Sequence, residues 1–183
     1  MNRRTALGLL GLGVAASRLE AAHQHLHVLQ KNPKDYKLQF FSPQEDALVD
    51  RVAELIIPAD EHSPGAHAAH VSYYIDLVAA HSPEAAKAEW KSRLAAFEEM
   101  ARAGHGKPFA ELDGKDQAAL LDKVSANEKS PGSPAEHFFV DVKKATLFGY
   151  YTSEIGLLRE LGYQGNQALG SFPGCTHPAG EHL

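Results

Sequence analysis

The chain has 183 residues, a formal net charge of −5 at pH 7 and 44% hydrophobic residues. This length is enough for one domain with a substantial core, and an acidic balance without a basic stripe argues against a nucleic-acid-binding protein. Cys175 is the only cysteine, so an intrachain disulfide and a metal cluster built from several thiolates are excluded. A buried, inert thiol and an intermolecular disulfide both remain open.

The first 22 residues resemble an export signal. Arg3 and Arg4 precede an apolar, glycine-rich run over residues 6–16, which is shorter than the roughly 20 residues that span a bilayer as a helix. Paired arginines before such a run favour the twin-arginine route, with general secretion as the alternative. Small residues near 15–17 or 19–22 are candidate cleavage sites, and an uncleaved anchor is the other possibility.

A polar segment over residues 23–41 follows, and its alternating histidines, His23, His25 and His27, are interpreted as solvated rather than metal-binding. The first helix is predicted after Ser42, which opens a Ser-Pro-Gln-Glu capping box. Its apolar stripe comprises Leu48, Val52, Leu55 and Ile56.

Proline 58 ends this first helix, because proline disfavours helical geometry in the residue before it. A polar turn over residues 60–65 then follows, in which the Asp60 carboxylate is expected to cap the loop by accepting backbone N–H bonds.

Three more helices are predicted in the middle of the chain. The second begins at 66–69, with a stripe of Val71, Tyr74, Ile75 and Val78. The third is expected to begin like the first, at Ser82-Pro83-Glu84, to bury Trp90, Leu94, Phe97 and Ala101, and to stop at Gly104. The fourth is predicted after Asp113, which is expected to cap it, and it continues through Leu120, Leu121 and Val124.

A fifth helix is predicted from a second capping box at Ser133, carrying Phe138, Phe139, Val142 and Ala145 towards Gly149. A short sixth helix is expected over 153–161, and glycines and prolines after Asn166 predict irregular structure. No alternating strand pattern is visible. The prediction is therefore one all-α domain over residues 42–183, with five or six helices and an irregular C-terminal segment.

Glycines and tyrosines are concentrated near the C-terminus. The segments are Gly-Tyr-Tyr-Thr-Ser-Glu-Ile-Gly at 149–156, Leu-Gly-Tyr-Gln-Gly-Asn at 161–166 and Pro-Gly-Cys-Thr-His at 173–177, with Ile-Ile-Pro-Ala-Asp at 56–60 and Pro-Gly-Ala at 64–66 earlier. These segments resemble the gluconate 2-dehydrogenase subunit 3 family, the small (gamma) subunit of membrane-associated flavin dehydrogenases. The resemblance extends over most of the chain.

The resemblance implies a non-catalytic subunit that binds, stabilises and helps to export a larger chain. The partner would be an FAD-dependent sugar or polyol dehydrogenase of the glucose–methanol–choline type, in some complexes with a cytochrome c subunit. Because twin-arginine export moves folded proteins, a small subunit carrying the signal would escort its partner into the periplasm. FAD is expected on the partner, since this chain has no dinucleotide-binding glycine motif and no covalent haem motif.

Aromatic rings with polar rims, beside glycines, are typical of protein–protein contacts. The predicted partner interface or its direct support therefore comprises Tyr150, Tyr151, Thr152, Ser153, Glu154, Tyr163, Gly165 and Asn166. Tyr150 and Tyr151 are adjacent, so on a helix one is expected in the core and the other towards a partner. No catalytic, cofactor or metal residue is predicted, because this stretch has no His, Lys or Cys to act as base or nucleophile.

Two alternatives come from other classes of protein. A free-standing periplasmic metal-binding protein would use His62, His67 and His70, the last two of which share a face if their segment is helical. A small helical enzyme of unrecognised type is the other alternative.

Overall fold

The computed structural model describes residues 35–165, and this part of the chain is helical with no strand. The all-α prediction is confirmed. The α-helices are α1 (Pro43–Ile56), α2 (Gly65–Ala68), α3 (Val71–Ala80), α4 (Glu84–His105), α5 (Gly114–Ser125) and α6 (Pro134–Tyr151). A 3₁₀ turn (Phe109–Glu111) precedes α5, and a π-helix (Ile155–Glu160) follows α6 where the sixth helix was predicted.

Side-chain caps fix the starts of three helices as predicted. Ser42 and Ser133 each accept from the backbone N–H three residues on, and the glutamate at that position accepts in return from the cap backbone. Asp113 accepts from the Asp116 N–H at the start of α5. These bonds satisfy donors that a helix start would otherwise leave unpaired.

The predicted cap at Ser82 is wrong. Helix α4 begins at Glu84 without a side-chain cap, because the Ser82 hydroxyl donates instead to the Val78 carbonyl at the end of α3. Helix α4 also passes Gly104 and ends one residue later, with Gly106 in the left-handed region at φ 70°.

The predicted second helix is split in two. Its first turn, α2, ends at Ala68, and His70 takes a left-handed conformation (φ 52°) before α3 begins. Val71 and Ile75 are buried as predicted, but Val78 is 47% exposed. It lies beside the buried stripe of α3 rather than within it.

Aromatic rings form the centre of the core. The Phe97 ring of α4 lies 5.0 Å from Phe109 and 4.9 Å from Phe138, and all three residues are fully buried. Trp90 packs edge-on against Phe138 and Phe41. Helix α6 contacts α1, α3, α4, α5 and the π-helix, so its buried stripe holds the domain together.

The ends of the chain lie outside the described residues. The predicted export signal, the three N-terminal histidines, Asn166, Cys175 and the irregular C-terminal segment all fall there. Between residues 35 and 165, no helix is both long enough and apolar enough to cross a bilayer.

The Glu136 carboxylate accepts hydrogen bonds from the Asn127 side chain (2.8 Å), the Gly132 N–H (2.7 Å) and the Ser133 N–H (2.9 Å). These bonds, with that from Asn127 the strongest, lower the pKa of Glu136 to about 2. The group therefore contributes stability that is fully present above its unfolded pKa, roughly 4.3, and that is lost as the pH falls towards 2.

We expect Glu136→Gln to lower the free energy of unfolding at pH 7, and the difference from the wild type to shrink between about pH 4.3 and pH 2. Denaturant titrations at a series of pH values measure this difference. In Asn127→Ala the pKa of Glu136 should rise, moving the loss to higher pH. A difference that does not change with pH would contradict this account of the cap.

Candidate partner-binding surface

The loop between α1 and α2 is held by two carboxylates. Asp60 Oδ1 accepts from the His62 N–H (2.8 Å) and the Ser63 N–H (2.7 Å), which confirms the predicted capping role. The same two bonds lower the pKa of Asp60. Glu54 accepts from the N–H groups on the two sides of the loop, those of Ala59 and His67.

Glycine is required at position 65 of this loop. Its φ of 84° lies in the left-handed region. A Cβ atom there would lie 2.7 Å from both oxygens of Glu54 and 2.8 Å from the Ala59 nitrogen. The Pro-Gly-Ala segment of the sequence thus has a specific backbone requirement.

The loop is joined to the end of α6 by one buried hydrogen bond, between Ser63 Oγ and the Tyr150 hydroxyl. Ser63 Oγ also accepts from the Gly65 N–H (3.1 Å). Tyr150 is fully buried, and this burial is the main cause of its raised pKa. The early and late sequence segments that resemble the family therefore form one structural unit.

Two glycines allow close approach at this end of the molecule. A Cβ on Gly149 would lie 2.7 Å from the Tyr74 ring, so the glycine lets α3 and α6 pack closely. A Cβ on Gly156 would lie 2.2 Å from the Tyr150 carbonyl oxygen. The glycine therefore allows the π-helix to fold back against the end of α6.

Hydroxyl groups in this segment bond mainly to nearby groups of the same segment. Ser153 Oγ donates to the Tyr150 carbonyl (2.6 Å) and accepts from the Gly156 N–H (3.1 Å). Thr152 Oγ1 donates to the Phe148 carbonyl (2.6 Å). These contacts shape the turn after α6, which is the local role that the sequence left open beside an interface role.

Tyr151 donates its hydroxyl to Glu160 Oε1 at 2.9 Å, across the turn. This hydrogen bond is the main cause of the raised pKa of Tyr151. The contact fixes the π-helix against the last turn of α6, while the Tyr151 ring stays half-buried.

The structure separates the predicted interface residues. Tyr150 is fully buried, so of the two adjacent tyrosines it is the one that lies in the core. Tyr151 and Ser153 are half-buried, and Asn166 lies outside the described residues. The exposed members are Thr152, Glu154, Tyr163 and Gly165.

Five further exposed apolar residues were not among the predicted interface residues, whereas a sixth, Tyr163, was. The large apolar residues exposed in the described part of the chain are Phe148 (60%), Leu161 (58%), Leu158 (49%), Val78 (47%), Tyr163 (40%) and Leu147 (39%). We call these six the exposed apolar residues. Five lie on the last turns of α6 and in the segment that follows. Val78 is one turn along α3 from Tyr74, whose ring stacks on Phe148 at 5.9 Å.

The exposure of Leu147 and Phe148 could have been predicted from the sequence. The buried stripe of α6 contains Phe138, Val142 and Thr146 at a spacing of four. Leu147 and Phe148 fall off this stripe, and an apolar residue off the stripe of an amphipathic helix is a candidate surface contact.

The histidines of the alternative interpretation do not converge. His67 Nδ1 pairs with Asp50 at 2.6 Å, which raises the pKa of His67, and His62 pairs with Glu61. His70 is in the left-handed break, so it does not share a helical face with His67. Within residues 35–165, no group of three or more His, Cys, Asp or Glu is arranged to hold a metal ion.

An open cleft of about 280 Å³ lies between α4 and the start of α6. Three of its polar side chains, those of Glu89, Arg93 and Ser133, are engaged in contacts of the fold. Arg93 pairs with Asp141 and with Glu89, and Ser133 caps α6.

A family model described as Gluconate 2-dehydrogenase subunit 3 matches residues 43–173. The match includes α1 to α6 and the π-helix, and hence both segments joined by the Ser63–Tyr150 hydrogen bond. None of the curated proteins and none of the solved structures is similar enough to count as a match.

We expect Gly156→Ala to lower the free energy of unfolding more than Gly149→Ala, within the roughly 1–3 kcal/mol typical of overpacking. The new methyl group meets the Tyr150 backbone in the first variant, but the movable Tyr74 ring in the second. Gly104→Ala is the control, because that site in α4 has open space and should gain about 0.5–1 kcal/mol. Denaturant unfolding measures all three, and equal losses at 149 and 156 would contradict the prediction.

Proposed function

The chain belongs to the gluconate 2-dehydrogenase subunit 3 family, and we propose that it is the non-catalytic small subunit of an exported, FAD-dependent sugar or polyol dehydrogenase. The family is that of one subunit of a dehydrogenase complex, which implies partner subunits. The catalytic partner in this proposal is an FAD-binding chain of the glucose–methanol–choline type, in some complexes accompanied by a cytochrome c subunit. The family match over residues 43–173 carries the proposal.

The exposed apolar residues support a role in binding a larger chain. Aromatic and aliphatic side chains are enriched in the buried centres of protein interfaces, and a few such anchors supply most of the binding energy. Phe148 is the strongest candidate anchor, since its ring is 60% exposed and stacks on Tyr74. Burying this ring against a partner would remove its apolar surface from water.

The contacts that fix the end of α6 and the π-helix support the same role. Gly149 brings Tyr74 close to α6, and Tyr150 joins the end of α6 to the α1–α2 loop. The hydrogen bond between Tyr151 and Glu160 fixes the π-helix, which carries Leu158. A surface fixed in this way loses less conformational entropy on binding than a loose one does.

The N-terminal signal supports the export part of the proposal. Arg3 and Arg4 before an apolar run favour the twin-arginine route, which carries folded proteins. In this role the small subunit takes its FAD-loaded partner into the periplasm, and the flavin chemistry belongs to the partner.

Co-expression with the flavoprotein chain tests the proposed function. We expect the tagged small subunit to recover the flavoprotein with bound FAD, and the flavoprotein to accumulate less when the small subunit is absent. Recovery of the small subunit alone, from cells that make both chains, would contradict the proposed function.

The double variant Phe148→Ala/Leu161→Ala tests the surface. We expect binding to the flavoprotein to weaken by about thirtyfold or more, because even one such anchor at an interface often contributes ~2 kcal/mol. Affinity is measured by titration of the purified chains, and circular dichroism checks that the variant folds. Ala95→Ser, at an exposed position of α4, is the control and should bind like the wild type. Unchanged affinity in the folded double variant would place the interface elsewhere.

A further inference from the structure

Residues 36–41, which we call the strap, lie against α3 and α4, just before the start of the matched family region. The strap is held at one carboxylate. Asp76 Oδ2 accepts from the Tyr36 hydroxyl (2.6 Å) and the Gln39 N–H (2.8 Å). Asp76 Oδ1 accepts from the N–H groups of Phe40 (3.0 Å) and Phe41 (2.7 Å).

Asp76 is fully buried. A buried carboxylate is costly unless other groups compensate its charge. Here the compensation comes from four donors of the strap, three of them backbone N–H groups that point at one side chain. Closing the strap therefore provides hydrogen-bond partners both for the carboxylate of Asp76 and for the backbone N–H groups of the strap.

The strap also contacts side chains of α3 and α4. The Tyr36 ring stacks on Tyr73 at 4.7 Å, and burial raises the pKa of Tyr36. Lys91 donates to the Phe40 carbonyl (3.0 Å) and lies 4.5 Å from the centre of the Phe40 ring. The strap thus closes on a surface that exists only after α3 and α4 have packed together.

We propose that Asp76 is a latch that holds the strap on the folded α3–α4 pair. The strap residues before Phe41 open and close as a local unit, while Phe41, which is buried in the core, and the helical body stay folded. The strap lies at the N-terminal end of the described residues. If the chain is exported as proposed above, the latch ties the segment behind the signal to the completed fold.

Asp76→Asn opens the latch with little change in shape. The amide offers one acceptor oxygen where the carboxylate offered two, and its NH₂ group meets the Gln39 N–H, which can only donate. The Tyr36 hydroxyl can rotate to accept, but the Gln39 N–H loses its partner.

Trypsin cleavage after Lys37, an exposed residue of the strap, measures this opening in the purified full chain. We expect cleavage at Lys37 in Asp76→Asn to be about tenfold faster or more, because hydrogen bonds to a charged acceptor are lost. Cleavage after Arg93 in α4 and Lys143 in α6 should not change. Tyr36→Phe, which removes one donor, should give a smaller increase at Lys37.

Val124→Ala is the matched control, since it opens a cavity in α5 outside the strap and loosens the whole domain. It should accelerate cleavage at Lys37, Arg93 and Lys143 together. An unchanged rate at Lys37 in Asp76→Asn, or an equal increase at all three sites, would overturn the latch.

The effect of the latch on export, which rests on the proposed function, is tested by measuring export of the full chain. With each variant expressed at a growth temperature equally far below its own melting temperature, Asp76→Asn should show a greater loss of exported chain than Val124→Ala. Equal export of the two variants would overturn this consequence. Failure of the wild-type chain to be exported would instead contradict the proposed function, so the two failures can be told apart.

Discussion

Helix α6 can bury only one stripe of its side chains, and this constraint decides the rest of the structure. Its stripe packs against α1, α3, α4, α5 and the π-helix, and it ends at Tyr150, which is fully buried. The residues beside the stripe are forced outwards, among them Leu147 and Phe148. The same helix therefore supplies the centre of the core and the most exposed aromatic ring of the proposed surface.

Glycine and polar contacts place the elements around α6. Gly65 and Gly149 permit backbone approaches that any Cβ atom would block or strain, and the Ser63–Tyr150 bond then joins the two segments. Because these requirements are steric, they account for the glycines at these two positions.

Four carboxylates of the described residues position backbone. The carboxylates of Glu54, Asp60, Asp76 and Glu136 each accept from at least two N–H donors. A carboxylate used in this way stabilises a loop, a strap or a helix start. The exposed apolar residues are a candidate contact for a partner, which agrees with the proposed role of an accessory subunit.

Local rules were sufficient for much of the helical architecture. The capping boxes at Ser42 and Ser133 and the cap at Asp113 were predicted from the sequence, because a cap depends on residues three positions apart. The buried stripe of α4 followed from its spacing for the same reason. The capping role of Asp60 was also predicted, since its carboxylate accepts hydrogen bonds from nearby residues of its own loop.

The sequence by itself determined the helical class, most helix starts and the family. Tertiary structure decided that Tyr150 rather than Tyr151 is fully buried and that Val78 is exposed. It also decided that Asp76 holds a segment more than thirty residues away. The physical reason is that helical periodicity gives the direction of a side chain on its own helix. Whether that direction leads to water or to another helix depends on contacts between residues far apart in the chain.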